Sequence, residues 1–220
     1  DVLASANELE FLGHIGGSVS PVVSEELYDR GCTVVSGNDA IARSVAEGVL
    51  AYILAQMRDI PYFHERMQDG DWPEHNLDRL DTLYDQEIGF VGLGTVGRHL
   101  CRLLEPFDVS IRVYDPYVDT AALPTGVVAT SLEDVLTNSE IVSIHASLTE
   151  ETIGLLDCAR LGQLTDGALL INTARGPIVA EDALVQKISD GDLEAALDVY
   201  WEEPLPDSHP LRSLDRVLLQ

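Results

Sequence analysis

Lysine is almost missing from this 220-residue sequence. Lys187 stands alone, and Lys and Arg together number 13 against 38 Asp and Glu, a formal charge of −25. So acidic a chain repels phosphate backbones and anionic lipid, which excludes nucleic acid and membrane surfaces as partners. Long apolar runs are absent too: none reaches the roughly 18 residues of a membrane span. The opening DVLASANELEF has no basic stretch ahead of an apolar one, so no secretory signal is visible. Cysteine is sparse. Cys32, Cys101 and Cys158 stand apart without CxxC spacing, which excludes a disulfide framework or zinc site and fits a reducing cytoplasm. None of the histidines has metal-ligand spacing, so no metal is expected. There is no repeat, low-complexity tract or Gly/Ser linker. A lysine-poor acidic surface suits concentrated salt, where screening weakens self-repulsion, and a salt-loving source is the expectation.

What is present is 45% hydrophobic and strongly patterned. Residues 8–12 and 32–36 read as short buried strands around a helix at 21–30. Ala40 to Arg58 carries Ile41, Val45, Val49, Leu50, Ile53, Leu54 and Met57 at helical spacing, a wide apolar stripe for a helix packed between layers or domains. Residues 59–85 are polar and aromatic, with Pro61, Gly70 and Pro73 breaking any long element. From Gln86 onward strands alternate with helices. EIGFVGL, SIRVY, EIVSIHA, ALLINTA and EAALDVY read as strands, and TVGRHLCRLLEPF, SLEDVLTNS, ARLGQL and AEDALVQKISDGDL as helices. Such alternation predicts a doubly wound parallel α/β sheet, with ligands beyond the strands' C-terminal ends.

Gly92, Gly94 and Gly97 form G-x-G-x-x-G between the first of these strands and its helix. The first glycine permits a tight turn, the second admits a pyrophosphate, and the third lets helix and strand pack closely. The amides of Thr95 and Val96 and the positive helix end face the phosphates. Asp115 ends the next strand, where a carboxylate accepts from both ribose hydroxyls and disfavours a 2′-phosphate, so NAD is the expected cofactor. The competing readings are a ligand-free tight turn for the glycines and a turn former before Pro116 for Asp115.

INTARGPIV places Asn172, Thr173 and Arg175 at another strand end. An arginine there can grip a carboxylate bidentately and polarise a neighbouring carbonyl, or simply pair with surface acids. ALDVYWEEPLP repeats the arrangement, with Asp198 at the strand end and Glu202 and Glu203 in the loop beyond. A carboxylate in that place can keep an imidazole protonated for acid catalysis. Both could equally be ordinary loop acids.

Together HIGGSV, SVAEGVLAYIL, GLGTVG, YDPY, IHASLTEET, INTARG and LDVYWEEPLP resemble the D-isomer-specific 2-hydroxyacid dehydrogenases, in order from about residue 11 to the end. The resemblance implies hydride transfer between NAD(H) and a small 2-hydroxy or 2-oxo acid. It implies a Rossmann cofactor domain at 60–220 and, at 1–59, part of a flavodoxin-like substrate lobe with the interdomain helix. Arg175 would orient substrate, and Glu203 would pair with the catalytic histidine. Ala146, Thr173, Ala174 and Asp198 would contact cofactor, while Gly37 matches a position near the nicotinamide often held by a hydroxyl residue. Gly17, Ser18 and Val19 would hold the substrate carboxylate through their amides. The histidine itself belongs to a Pro-His pair after the strand that RVLL resembles, beyond Gln220, and the family pattern also begins before Asp1, so a longer chain is expected. His145 would shape the cofactor pocket, His209 would lie in a surface loop, and His14, His64, His75 and His99 would lie in loops or on helix surfaces. A homodimer is expected, with the segment of Tyr62, Phe63 and Trp72 as one possible contributor. Two rivals are an NAD-sensing corepressor-like scaffold and a formate dehydrogenase, whose pattern usually has glutamine in place of Glu203.

Overall fold

The computed structural model describes residues 6, 8–16, 19, 22–72 and 80–220. The chain divides into two compact units, Asp1–Val45 and Ala46–Gln220. In the first, β1 (Phe11–His14) pairs parallel with β2 (Thr33–Ser36) in the register Phe11 to Thr33 through His14 to Ser36. Between them lies α1 (Glu25–Asp29), shorter than expected because Ser24 still has extended N-cap geometry. Strand β1 also begins later than the apolar pattern suggested, at Phe11, although Thr33 N–H bonds the carbonyl of Glu10 just before it.

Helix α2 (Asn38–Met57) begins in the first unit and continues into the second. Among the described residues it is the one helix long and apolar enough, by length and composition, to cross a membrane. Its second half is core instead. Ala46, Val49, Tyr52, Ile53 and Met57 are buried with Ile88, Phe90 and Leu100, and each large aliphatic contributes about 1.5–3 kcal/mol by leaving water. By compactness the chain divides between Val45 and Ala46, inside the helix. A helix not foreseen, α3 (Ile60–Gln68), follows a left-handed Asp59. Pro61 sits in its first turn, where the missing N–H has no helical acceptor to lose.

The second unit is built on a seven-stranded, wholly parallel sheet in the order β5-β4-β3-β6-β7-β8-β9. The strands are β3 (Glu87–Val91), β4 (Ser110–Tyr114), β5 (Val127–Ala129), β6 (Ile141–Ile144), β7 (Ala168–Asn172), β8 (Leu193–Leu197) and β9 (Val217–Leu219). Between them run α4 (Thr95–Leu104), α5 (Leu132–Thr137), α6 (Cys158–Leu161) and α7 (Glu181–Ser189). Side chains alternate across the sheet with period two. On β7, Leu169 and Ile171 join the cluster that holds α2 and α4, while Ala168 and Leu170 join the one that holds Leu136, Leu161 and Leu184. No residue of β6 or β7 is exposed, which is why those stretches read as unbroken apolar runs. The winding direction reverses at β3 and β6, and ligands of such sheets bind where that reversal opens a crevice.

Candidate active site

Strand register lines up the sheet's C-terminal edge. Tyr114 pairs with Val91, Val91 with Ile144, Ile144 with Asn172, Asn172 with Leu197, and Leu197 with Leu219. The residues that follow, Asp115, Gly92, His145, Thr173, Asp198 and Gln220, thus leave the sheet along a single row. Most of the site residues expected from sequence lie on this row or one turn past it.

At the reversal point, Gly92 adopts φ +92°, and a Cβ there would come within 2.7 Å of Ala146 N. Only glycine lets the turn lie so low over the end of β6. Gly94 then serves as N-cap of α4 without any side-chain cap hydrogen bond. The first-turn N–H groups of Thr95, Val96 and Gly97 therefore point out of a helix end with no internal acceptors. Asp115 closes the far side of the turn: its Oδ2 accepts from Leu93 N–H at 2.8 Å and its Oδ1 from Tyr117 N–H at 2.9 Å. A carboxylate held by two amides is fixed in place with lone pairs to spare. These are the features a dinucleotide requires, namely room at the glycines, free amides for phosphate and an acid for ribose.

His145 sits beneath this turn. Its ring lies edge-on to Phe90 with centroids 4.8 Å apart, and both ring nitrogens are buried without a hydrogen-bond partner. Burial lowers its pKa to about 4, so the imidazole is neutral packing material below the crevice.

The second half of the row is more open. Asn172 is buried and organises the turn that follows: its Nδ2 donates to Arg175 O at 2.9 Å, and its Oδ1 accepts from Ala174 N–H at 3.0 Å. Thr173 and Ala174 are half-buried, and Arg175 is exposed with its guanidinium donating to Ala174 O. Among the described residues no hydrogen bond joins Arg175 to a carboxylate. Gly176 packs on the main chain of Tyr200, where a Cβ would stand 2.3 Å from the carbonyl carbon. A cavity of about 470 Å³ opens alongside, lined by Asp198, Tyr200, Glu203, Leu205, Leu219 and Gln220 among others. Burial, then the charge of Glu203, raises the Asp198 pKa. Both Glu202 and Glu203 are exposed, and Glu203 Oε1 accepts from Tyr200 N–H at 3.1 Å. Burial, then Asp198 and Tyr200, pushes Tyr52 up to about 12, and its hydroxyl bonds the Gln220 side chain.

The His209 ring is engaged by groups other than Glu203. Its Nδ1 accepts from Leu211 N–H at 3.2 Å and its Nε2 pairs with Glu181 at 2.7 Å, so it caps a short helical turn. His14 lies in β1 rather than in a loop, while His64 and His99 are on α3 and α4. His75, Gly17 and Ser18 fall outside the described residues. Val19 is described, and its carbonyl accepts from Val22 and Val23 N–H at 2.9 and 3.1 Å. Gly37 N–H is taken up by His14 O at 2.8 Å. Among the described residues no group of three or more His, Cys, Asp or Glu is placed to hold a metal ion. Tyr52, Tyr200 and Gln220 were not foreseen as site residues. Tyr200 lies two positions past Asp198 in a motif already singled out, so only the register of β9 was needed to reveal it.

This geometry belongs to a recognised class of protein. Residues 50–220 match the family model described as D-isomer specific 2-hydroxyacid dehydrogenase, NAD binding domain, and the chain belongs to that family. D-3-phosphoglycerate dehydrogenase of Mycobacterium bovis is 34% identical over 221 residues, covering 100% of this chain and 42% of that protein. The chain thus spans less than half the length of that relative. Glyoxylate reductase of Thermofilum pendens is 35% identical over 225 residues, covering 100% of this chain and 66% of that one. Among solved structures, a D-isomer specific 2-hydroxyacid dehydrogenase from Xanthobacter autotrophicus Py2 in complex with NADPH and MES superposes with TM-score 0.83 at 32% identity. That match covers 99% of this chain and 69% of the other.

Proposed function

We propose that this chain supplies the cofactor domain, with part of the substrate lobe, of an NAD-dependent dehydrogenase acting on small 2-hydroxy or 2-oxo acids. The observation that carries the reading is the single row of strand ends, with the glycine turn and Asp115 at one end and the Arg175 turn and Glu203 near the other. Gly92, Gly94, Gly97 and the amides of Thr95 and Val96 hold the pyrophosphate. Asp115 holds the ribose, and Ala146, Thr173, Ala174 and Asp198 line the rest of the dinucleotide's path. When bound, the cofactor supplies the hydride chemistry. Asp115 carries no adjacent arginine, which supports NAD over its 2′-phosphorylated relative.

In this reading Arg175 swings from Ala174 O to grip the substrate carboxylate and polarise the 2-oxo group. Glu203 keeps the proton donor, the family's histidine expected after Gln220, in its charged form. Ser18 and Val19 retain the substrate-binding role implied by the family pattern, and residues 1–59 that of a partial substrate lobe. The same pattern supports a cytoplasmic homodimer. The acidic surface supports a salt-adapted protein, whose melting temperature rises between dilute and molar salt; no rise would count against it.

The deciding experiment is steady-state NADH oxidation by the complete protein with a panel of 2-oxo acids. Turnover of at least one is expected. Tight NADH binding with no turnover would instead favour a sensing scaffold.

A further inference from the structure

Strands β4 and β6 are not neighbours. Each pairs with β3, which lies between them, so their ends stand about 9–10 Å apart. The loops that leave them are nevertheless joined directly. Tyr117, two residues past Asp115, donates its phenol proton to Glu151 Oε2 at 2.8 Å, and the bond spans the exit of β3, where the glycine turn begins. Both ends are anchored. Tyr117 N–H is held by Asp115 Oδ1 at 2.9 Å, and Arg98 on α4 donates to Ala122 O, farther along the same loop, at 3.0 Å. On the other side, Thr152 Oγ1 donates to Ser147 O at 2.7 Å and accepts from Thr149 N–H at 2.8 Å, which fixes the turn that carries Glu151. The bond to Glu151, then the charge of that carboxylate, raises the Tyr117 pKa, so the phenol stays a donor.

We propose that Tyr117 belongs to the adenosine end of the dinucleotide site, and that its bond to Glu151 is a strap forming the outer wall there. The proposal deepens the dinucleotide reading above and rests on it. With pyrophosphate on the glycine turn and ribose on Asp115, the base is carried outward along the β4 loop, opposite the β6 loop. The strap joins those two loops. The ring of Tyr117 is 80% exposed, and it offers a purine flat apolar surface to cover. One residue thus serves both walls: its amide sets the ribose acid, and its phenol sets the facing loop. The bond keeps the walls at one separation before the ligand arrives, so binding does not have to order them.

The test is calorimetric titration of the complete protein with NADH and with ADP-ribose, which carries the adenosine and pyrophosphate without the nicotinamide. Tyr117→Phe keeps the ring and the amide and removes only the strap. It should raise both Kd values roughly three- to ten-fold, the worth of one hydrogen bond. Glu151→Ala should do the same, and the double variant should lose no more than either single one. Glu151→Gln keeps an acceptor and should restore most of the affinity. Melting curves without ligand should match the wild type, since both side chains lie on the surface. Unchanged Kd values, tighter binding, additive losses, or a Glu151→Gln loss equal to that of Glu151→Ala would overturn the proposal and leave the dinucleotide site standing. So would weaker NADH binding with ADP-ribose unaffected. A wild-type protein that binds neither ligand would remove the dinucleotide reading itself.

Discussion

The two edges of the seven-stranded sheet differ in kind. At the N-terminal edge a cavity of about 340 Å³ is lined by Asp59, Asp81, Glu140, Asp166 and Glu194, with Arg216 the one cation. It is richer in carboxylates than the cavity at the C-terminal edge, which has Asp198 and Glu203. Arg216 is engaged with Glu194 at 3.7 Å and Gly191 O at 3.2 Å, and the turn glycine there, Gly167 at φ +76°, leads into β7 rather than into a helix. At the C-terminal edge, parallel strands deliver their ends in register, and α4 starts with its first-turn amides uncovered. Chain direction, rather than the number of charged groups, makes one edge a site.

The largest expected effect breaks the C-terminal edge mechanically. Gly176→Ala forces a Cβ to within 2.3 Å of the Tyr200 carbonyl, and should cost about 3 kcal/mol of stability in chemical denaturation. An unchanged midpoint would mean that the two turns are not in contact. Next, Arg175→Ala in the complete protein should lower kcat/KM by roughly 50-fold with NADH affinity nearly intact, as expected for loss of charge-assisted hydrogen bonds to substrate. Loss of NADH binding would instead assign Arg175 to the cofactor.

A third prediction concerns pH. His145 has a folded-state pKa of about 4 against an ordinary 6.5, so between those values the unfolded chain binds a proton that the folded one rejects. Stability from this group is complete above pH 6.5 and is lost as pH falls toward 4, by about 3 kcal/mol. His145→Leu should remove that part of the acid sensitivity, seen as a shallower fall in melting temperature across the window. The smallest effects contrast the two edges directly. Asp115→Ala should weaken NADH binding about ten-fold, in line with a charged hydrogen-bond acceptor lost, whereas Asp166→Asn at the opposite edge should leave it unchanged. Equal effects would erase the distinction.

The sequence carried the architecture of the second unit because parallel strands covered on both faces are unbroken apolar runs, and helices between them keep a separate period. EIGFVGL, SIRVY, EIVSIHA and ALLINTA all contain their strands. Short or exposed elements escaped. Strand β5 has only three residues, none of them buried, and α3 buries none of its residues and carries Pro61, a residue that reads as a breaker unless its first-turn position is known. The glycine turn and Asp115 were legible because their spacing is local. The place of Tyr200 in the site was not, since it depends on the register of β9 beside β8, which neither stretch of sequence states by itself. His209 misleads in the other direction: a histidine close to Glu203 in sequence points its ring at Glu181.

A crystal of the complete protein grown with NADH addresses the central claim most directly. The pyrophosphate should lie against the amides of Thr95 and Val96, the adenosine ribose on Asp115, and the nicotinamide toward Arg175 and Asp198. Density for the dinucleotide at the Asp166 edge, or a crevice above Gly92 left empty at saturating NADH, would contradict the account.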